Sequence, residues 1–403
     1  MKYIEGGVCA AKGFSASGVH CGIRKNKSKK DLALIVSEVK ASAAAVYTKN
    51  LVKGAPLTVT KSNIENGFAK AIICNSGNAN TCNENGVQVA QDMCRLTSEY
   101  LNIEKSDVIV ASTGVIGQTL DIQPISDGMN SLVKNLGHNS KDAARAIMTT
   151  DTDIKEIAVS FEIDGKTCNI GGIAKGSGMI HPNMATMLGF ITTDVAIEPE
   201  MLQKALKVDV CDSFNMVSVD GDTSTNDMVC VLANAMAENP VISSENKAYN
   251  EFAKALNVVT TALSKSIAKD GEGASKLLEC KVYGAVSKQN ARAVAKSVVC
   301  SNLLKSAMFG ADANWGRVLC AIGYSGVSVD VDKIDVEFKS SSGSVPVCEN
   351  GRGIDFDESK AKNILLESEI DILINLNSGE ESATAWGCDL TYDYVKINGD
   401  YRT

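Results

Sequence analysis

Lys175-Gly-Ser-Gly-Met-Ile-His-Pro-Asn-Met-Ala-Thr186 leads directly into Thr186-Met-Leu-Gly-Phe-Ile-Thr-Thr193. The first stretch is glycine-rich and nearly uncharged. The second is apolar and β-prone, so the chain passes here from a loop into a strand. A threonine behind a small residue at that junction has a chemical consequence. With the Ala185–Thr186 bond cut, Thr186 would carry a hydroxyl nucleophile and an α-amine on one residue. An α-amine titrates near ~7.7 and can take the hydroxyl proton at neutral pH. The plainer alternative is a threonine that only opens a strand.

Around this stretch, strands are expected over 69–74, 108–111, 157–162, 186–193, 228–233 and 370–376. Several are continuously apolar, as in sheets covered on both faces. Helical periodicity places Val89, Met93 and Leu96 on one face of a helix over 87–101, capped by Asn85. A second helix is expected over 287–304, with Ala291, Val294, Val298 and Leu304 inward. Strands and helices mix without regular alternation, which points to an α+β layered fold rather than a doubly wound sheet. The length, 403 residues, exceeds what one core fills and predicts two domains. A boundary is drawn at 280/281.

Composition excludes several classes. Hydrophobic residues make up 44% and the net charge is −8, so the chain is neither disordered nor a broad nucleic-acid binder. The basic run Arg24-Lys-Asn-Lys-Ser-Lys-Lys30 reads as a solvated loop. The 13 cysteines show no Cys-x-x-Cys, their number is odd, and no apolar leader opens the chain. Reduced thiols, a cytoplasmic location and no metal site are therefore expected. No membrane span is expected either. Three histidines, His20, His138 and His181, leave little material for a serine–histidine–acid triad. Lys175-Gly-Ser-Gly lacks the P-loop order. Asp220-Gly-Asp222 lacks the further ligands a Ca²⁺ loop needs and reads as a turn.

The segment Lys175–Leu188 resembles the self-cleavage site of the ornithine acetyltransferases, the glutamate N-acetyltransferase family of arginine biosynthesis. Other blocks agree in order: Gly6-Gly-Val-Cys-Ala-Ala-Lys-Gly-Phe14, Asn75-Ser-Gly-Asn-Ala-Asn80, Ser112-Thr-Gly-Val-Ile-Gly117 and Met148-Thr-Thr-Asp-Thr152. They continue with Asp220-Gly-Asp-Thr-Ser-Thr-Asn-Asp227, Asp270-Gly-Glu-Gly-Ala274, Gly310-Ala-Asp-Ala-Asn-Trp-Gly-Arg317 and Ile397-Asn-Gly-Asp-Tyr-Arg-Thr403. Cys9 stands where the family has threonine, and Gly399 where it has alanine.

The resemblance implies an α-β-β-α layered main domain, 1–280, and a smaller C-terminal α/β domain, 281–403, whose tail returns to the active site. It implies self-cleavage between Ala185 and Thr186, with two copies of each fragment staying together. Thr186 would then carry acetyl from N²-acetylornithine to glutamate. Thr113 and Gly114 would form the oxyanion hole, and Thr149, Lys175, Thr186, Glu272, Asn398 and Thr403 would bind substrate. Lys175 suits a substrate carboxylate, and an acid at 272 suits the ornithine ammonium. No cofactor is implied, and acetyl-CoA stays open as a co-substrate. A second reading keeps the threonine nucleophile but uses water as acceptor, giving an aminopeptidase or amidase. A third is a non-enzymatic glycine-rich binding module, which would stay uncut.

Overall fold

The computed structural model describes residues 1–181 and 187–400. Leu188–Thr193 and Met228–Ala233 are buried at every position. They lie side by side and parallel, with Leu188 opposite Met228. On its other edge Leu188–Thr193 pairs antiparallel with Lys166–Lys175, Lys175 opposite Leu188. These strands are the middle of a nine-stranded sheet. Lys2–Ile4 and Lys155–Ile163 extend it on one side, and Leu32–Tyr47, Phe68–Asn75 and Val108–Ser112 on the other. Phe14–Val19 also pairs with Leu32–Tyr47.

The 16-residue strand Leu32–Tyr47 makes the sheet fold over itself. Its first part pairs with Phe14–Val19 and Phe68–Asn75, and its last part with Met228–Ala233. The register slips between Val36 and Ala41, where such a bend is absorbed. Strand period then assigns the faces. Ile35, Ile72 and Ile109 face inward and meet Ile173, Phe190 and Met228 from the other half. Their neighbours Leu34, Ile73 and Val110 face outward, under the helices Ala55–Asn63, Gly86–Leu101 and Gln123–Lys134. On the opposite outer face, Leu202, Leu206, Phe252 and Leu263 of the helices Pro199–Asp209 and Lys247–Lys269 cover Val159, Ile170 and Ile191. The result is the expected α-β-β-α layering.

A second sheet has seven strands. It runs Arg352–Gly353, Gly343–Glu349, Asp335–Ser340, Glu369–Asn375, Leu277–Ala285, Glu381–Cys388 and Val217–Ser218. Helix Lys247–Lys269 packs on strands of both sheets, and one continuous apolar core joins them. Position 280/281 falls within the strand Leu277–Ala285, and Val217–Ser218 joins this sheet from far upstream.

The helix expected over 287–304 is two helices, Lys288–Cys300 and Asn302–Phe309. Ser301 ends the first and caps the second, its hydroxyl accepting the Leu304 N–H at 3.3 Å. The apolar period continues across the break, which is why periodicity alone joined them. Asn85 precedes the helix Gly86–Leu101, but its side chain makes no capping bond.

Candidate active site

Asp151 is the organising group. Its carboxylate accepts the Thr149 N–H at 2.9 Å, the Gly176 N–H at 2.7 Å and the Lys155 ammonium at 2.7 Å. The Lys175 ammonium lies 3.9 Å from its other oxygen. Burial pushes the Asp151 carboxyl up, but the Lys175 and Lys155 charges and these hydrogen bonds outweigh it and hold it well below the usual carboxylate range. Thr149 and Lys175 are thus brought together by a group the sequence did not single out. The strand end explains how: Lys175 closes Lys166–Lys175, and Gly176 turns its N–H back toward Asp151.

Lys155 continues the chain of charges. Its ammonium reaches Asp270 at 2.6 Å as well as Asp151. The Asp270 carbonyl accepts the Ser177 hydroxyl at 2.6 Å, and the Ser177 carbonyl accepts the Glu272 N–H at 3.0 Å. These bonds seat the turn that carries Glu272 against the loop after Lys175. A Cβ at Gly178 would lie 2.3 Å from the Glu272 carboxylate, so this approach requires glycine or a displaced Glu272. Glu272 in turn accepts a hydrogen bond from the Asn398 amide at 2.8 Å. Glu272 and Asn398 are therefore paired, through a C-terminal helix, Tyr392–Asp400, that buries none of its residues.

Thr113 and Gly114 follow the strand Val108–Ser112. The Thr113 N–H is taken by the Asn75 carbonyl at 3.0 Å. Neither the Thr113 hydroxyl nor the Gly114 N–H makes a hydrogen bond of normal length to another described residue. Gly114 has φ +129°, and a Cβ there would sit 2.5 Å from the Gly77 carbonyl carbon. The segment Asn75–Asn80 is thus the bed on which this turn rests.

The segment 220–227 connects these parts, a role that the reading of Asp220-Gly-Asp222 as a turn did not include. Asp220 accepts the Met179 and Ile180 N–H groups at 2.7 and 2.9 Å, and Thr223 donates to the His181 carbonyl at 2.9 Å. These bonds hold the residues that enter 182–186. The Asn226 amide donates to the Ser112 carbonyl at 3.0 Å, just before Thr113. The Met228 N–H donates to the Met187 carbonyl at 3.0 Å. Asp227, between those two contacts, is buried and has one carboxyl oxygen with no hydrogen-bond partner among the described residues. Burial raises its pKa well above the carboxylate range, against the pull of Ser224 and Lys175. A run of aspartates in a glycine turn could have suggested this role, but only its contacts distinguish it from a surface loop.

His181 is the histidine nearest the junction in sequence. Its Nδ1 lies 3.1 Å from the Ser218 hydroxyl and 3.5 Å from the Cys300 sulfur. Burial, then the Lys296 charge, lower its pKa to about 4 against Asp220. His20 sits by Asp31 and the Lys29 carbonyl, in a different contact set. Ala185, Thr186 and Thr403 lie outside the described residues. Among the described residues no group of histidine, cysteine and acid side chains is placed to hold a metal ion.

Against known proteins, the ArgJ family model matches residues 15–403. The chain belongs to the ArgJ family. It is 52% identical over 408 residues to the arginine biosynthesis bifunctional protein ArgJ of Caldanaerobacter subterraneus subsp. tengcongensis, all of both chains being covered. It is 48% identical over 395 residues to that of Thermotoga neapolitana, covering 97% of this chain and 99% of the other. Among solved structures, the crystal structure of ArgJ from Bacillus halodurans is 46% identical with a TM-score of 0.50. That match takes in 98% of the solved chain and 53% of this one. Membership in the ArgJ family makes this chain an acyltransferase of arginine biosynthesis, and its layered fold agrees with that placement.

Proposed function

We propose that this ArgJ chain carries acetyl from N²-acetylornithine to glutamate on the hydroxyl of Thr186, after cutting itself between Ala185 and Thr186. The observation that carries the reading is the convergence on one place. The strand that starts just after Thr186 lies between Lys175 on one edge and the Asp227–Met228 peptide on the other. Thr149, Glu272 and Asn398 are joined to Lys175 through Asp151, Lys155 and Asp270.

In maturation the Thr186 oxygen bonds to the Ala185 carbonyl carbon and the Ala185–Thr186 C–N bond breaks. The hydroxyl proton leaves with the nitrogen, and water hydrolyses the resulting ester. The solved Bacillus halodurans chain, matched almost whole, covers about 214 residues of this one, close to the 218 of fragment 186–403. That length supports the cut. In transfer the new α-amine takes the Thr186 hydroxyl proton while the oxygen attacks the acetyl carbonyl of acetylornithine. The C–N bond breaks, the proton goes to the departing ornithine amine, and glutamate then takes the acetyl group in the reverse sequence. The Thr113 hydroxyl and Gly114 N–H, both without partners among the described residues, serve the oxyanion of each tetrahedral intermediate. Lys175 and Thr149 hold the substrate carboxylate, and Glu272 with Asn398 holds the ornithine ammonium. Thr403 completes the substrate set.

The acetyl group rides on the protein's own threonine, so the cycle uses no cofactor. Acetyl-CoA is a slower alternative donor. The two fragments remain together, with two copies of each. Among the described residues no helix is long and apolar enough to cross a membrane. All 13 cysteines are free, which fits a reducing cytoplasm. Intact mass and N-terminal sequencing of the purified protein test the cut, which should give a fragment starting Thr186-Met-Leu. An acetylornithine–glutamate exchange assay tests the transfer. An uncut chain with full activity would refute the nucleophile.

A further inference from the structure

Four charges lie in a row beneath the candidate site: Lys175, Asp151, Lys155 and Asp270. Lys155 is among the largest fully buried side chains of the molecule. It sits 2.7 Å from Asp151 and 2.6 Å from Asp270, two short contacts, whereas Lys175 stands 3.9 Å from Asp151. The difference matters chemically. At 2.7 Å an ammonium spends a proton on the carboxylate, and at 3.9 Å it does not. Asp151 Oδ1 also accepts the Gly176 N–H, and Oδ2, the oxygen nearer Lys175, accepts the Thr149 N–H and, at 3.5 Å, the Thr149 hydroxyl, so its acceptor sites are occupied without Lys175. Among the described residues Lys175 makes no other ion pair. Its donors therefore remain for something else.

We propose that Lys155 is a positioning residue that keeps the Lys175 ammonium free for the substrate carboxylate by occupying Asp151 in its place. The proposal rests on the reading of Lys175 as the carboxylate-binding residue. Without Lys155, the buried Asp151 carboxylate and the partly buried Asp270 carboxylate would lose the cation between them, leaving Lys175 as the cation beside Asp151. Coulomb attraction in a poorly solvated site would draw Lys175 onto Asp151. The ammonium would then be lost to the ligand although no residue that touches the ligand had changed. Lys155 also fixes the other end of the site. Together with the Thr152 N–H and hydroxyl, which also donate to the Asp270 carboxylate, it anchors the turn bearing Glu272 and so helps set the spacing between the carboxylate-binding and ammonium-binding ends.

The test is a pair of variants in the full chain, Lys155→Met and the charge-balanced Lys155→Met/Asp151→Asn, assayed for acetylornithine–glutamate exchange. In Lys155→Met the KM for both substrates should rise about tenfold or more while kcat per acetylated site stays within about threefold. Removing the competing carboxylate as well should release Lys175 and bring KM back to within about threefold of the parent. A structural role alone predicts that the second substitution adds damage. A double variant with KM as high as or higher than that of Lys155→Met overturns the proposal, as does an unchanged KM in Lys155→Met. If Lys155→Met does not fold, the balanced double variant decides on its own, near-parental KM supporting the proposal and a tenfold rise overturning it. Lys175→Met serves as control. If it leaves KM unchanged, the carboxylate-binding reading of Lys175 fails, and that failure is distinct from failure of the Lys155 role.

Discussion

Asn398 donates from its side-chain amide to Oε2 of Glu272 at 2.8 Å, so the C-terminal helix and the turn after Asp270 meet on one carboxylate. That bond orients Glu272 and leaves its charge to act on a ligand. Glu272→Gln keeps the shape and an acceptor for Asn398 but removes the charge. The KM for acetylornithine should rise about ten- to a hundredfold, the range of one hydrogen bond to a charged group. The KM for glutamate, which brings a second carboxylate, should not rise. Steady-state kinetics with each substrate varied in turn checks this, and equal increases for both would remove Glu272 from the ammonium end.

Thr186→Ala should leave a single uncut chain without exchange activity. Thr186→Ser, which keeps a hydroxyl, should still cut. Acetylornithine given alone to the parent enzyme should release ornithine in a burst and add one acetyl mass to fragment 186–403. Intact mass spectrometry reads all three outcomes. Acetyl found on Lys175 or a cysteine instead would displace Thr186 as the nucleophile.

The turn proposed to hold the oxyanion offers two separable changes. Thr113→Ala deletes one donor and should lower turnover by about 10²–10³ with the fold intact. Gly114→Ala forces a side chain onto φ +129°, with its Cβ 2.5 Å from Gly77. It should cost at least about 1 kcal/mol of stability as well as activity. Thermal denaturation alongside kinetics distinguishes them. Equal stability losses in both variants would contradict the assignment.

His181 gives a pH signature. Its pKa is lowered to about 4 in the fold, while an unfolded histidine titrates near ~6.5. Between these values the unfolded chain binds a proton that the folded chain does not, so this contribution to stability is lost as pH falls from about 6.5 to about 4. Urea midpoints at pH 7 and pH 5 should differ less in His181→Asn than in the parent. An identical difference in both proteins would clear His181 of the effect.

On the donor, acetylornithine should support glutamate acetylation well and acetyl-CoA much more slowly. Lys175, Glu272 and Asn398 are proposed to frame an amino-acid site, and the sequence shows no patterned glycine loop for a nucleotide diphosphate. Parallel assays with the two donors at matched concentration decide it, and comparable rates would overturn this ranking.

The sequence made much of this legible, and its failures have physical causes. The strand over 228–233 is observed with those bounds, and the others are met within two residues, because continuous β-prone runs have no competing period. The strand expected to start at Thr186 is described from Leu188. The single helix over 287–304 was wrong because Ser301 breaks the backbone without breaking the apolar period. The residues proposed to face the ligand were named through the family motifs. Lys155 lay outside every motif, and Asp151 and Asp227 stood inside motifs without a role, because a buried charge reveals itself only by its partners, which come from distant parts of the chain. Asp270 and Asp220 stood inside quoted motifs, yet the sequence could not say that one would hold the Glu272 turn and the other the residues entering the junction.

The strand Leu188–Thr193 is zipped on both edges, to Lys166–Lys175 upstream of the junction and to Met228–Ala233 downstream. A break just before it would therefore come after folding, since this pairing brings the junction to its chemistry. Before the break the molecule regains its fold as a first-order process. After it, the same fold must be rebuilt by two polypeptides meeting in solution. Recovery from urea should then depend on protein concentration in the processed form and be independent of it in Thr186→Ala. With the proposed cut, biosynthesis would pass once through a state that can repair itself alone, and the cut would make that passage irreversible.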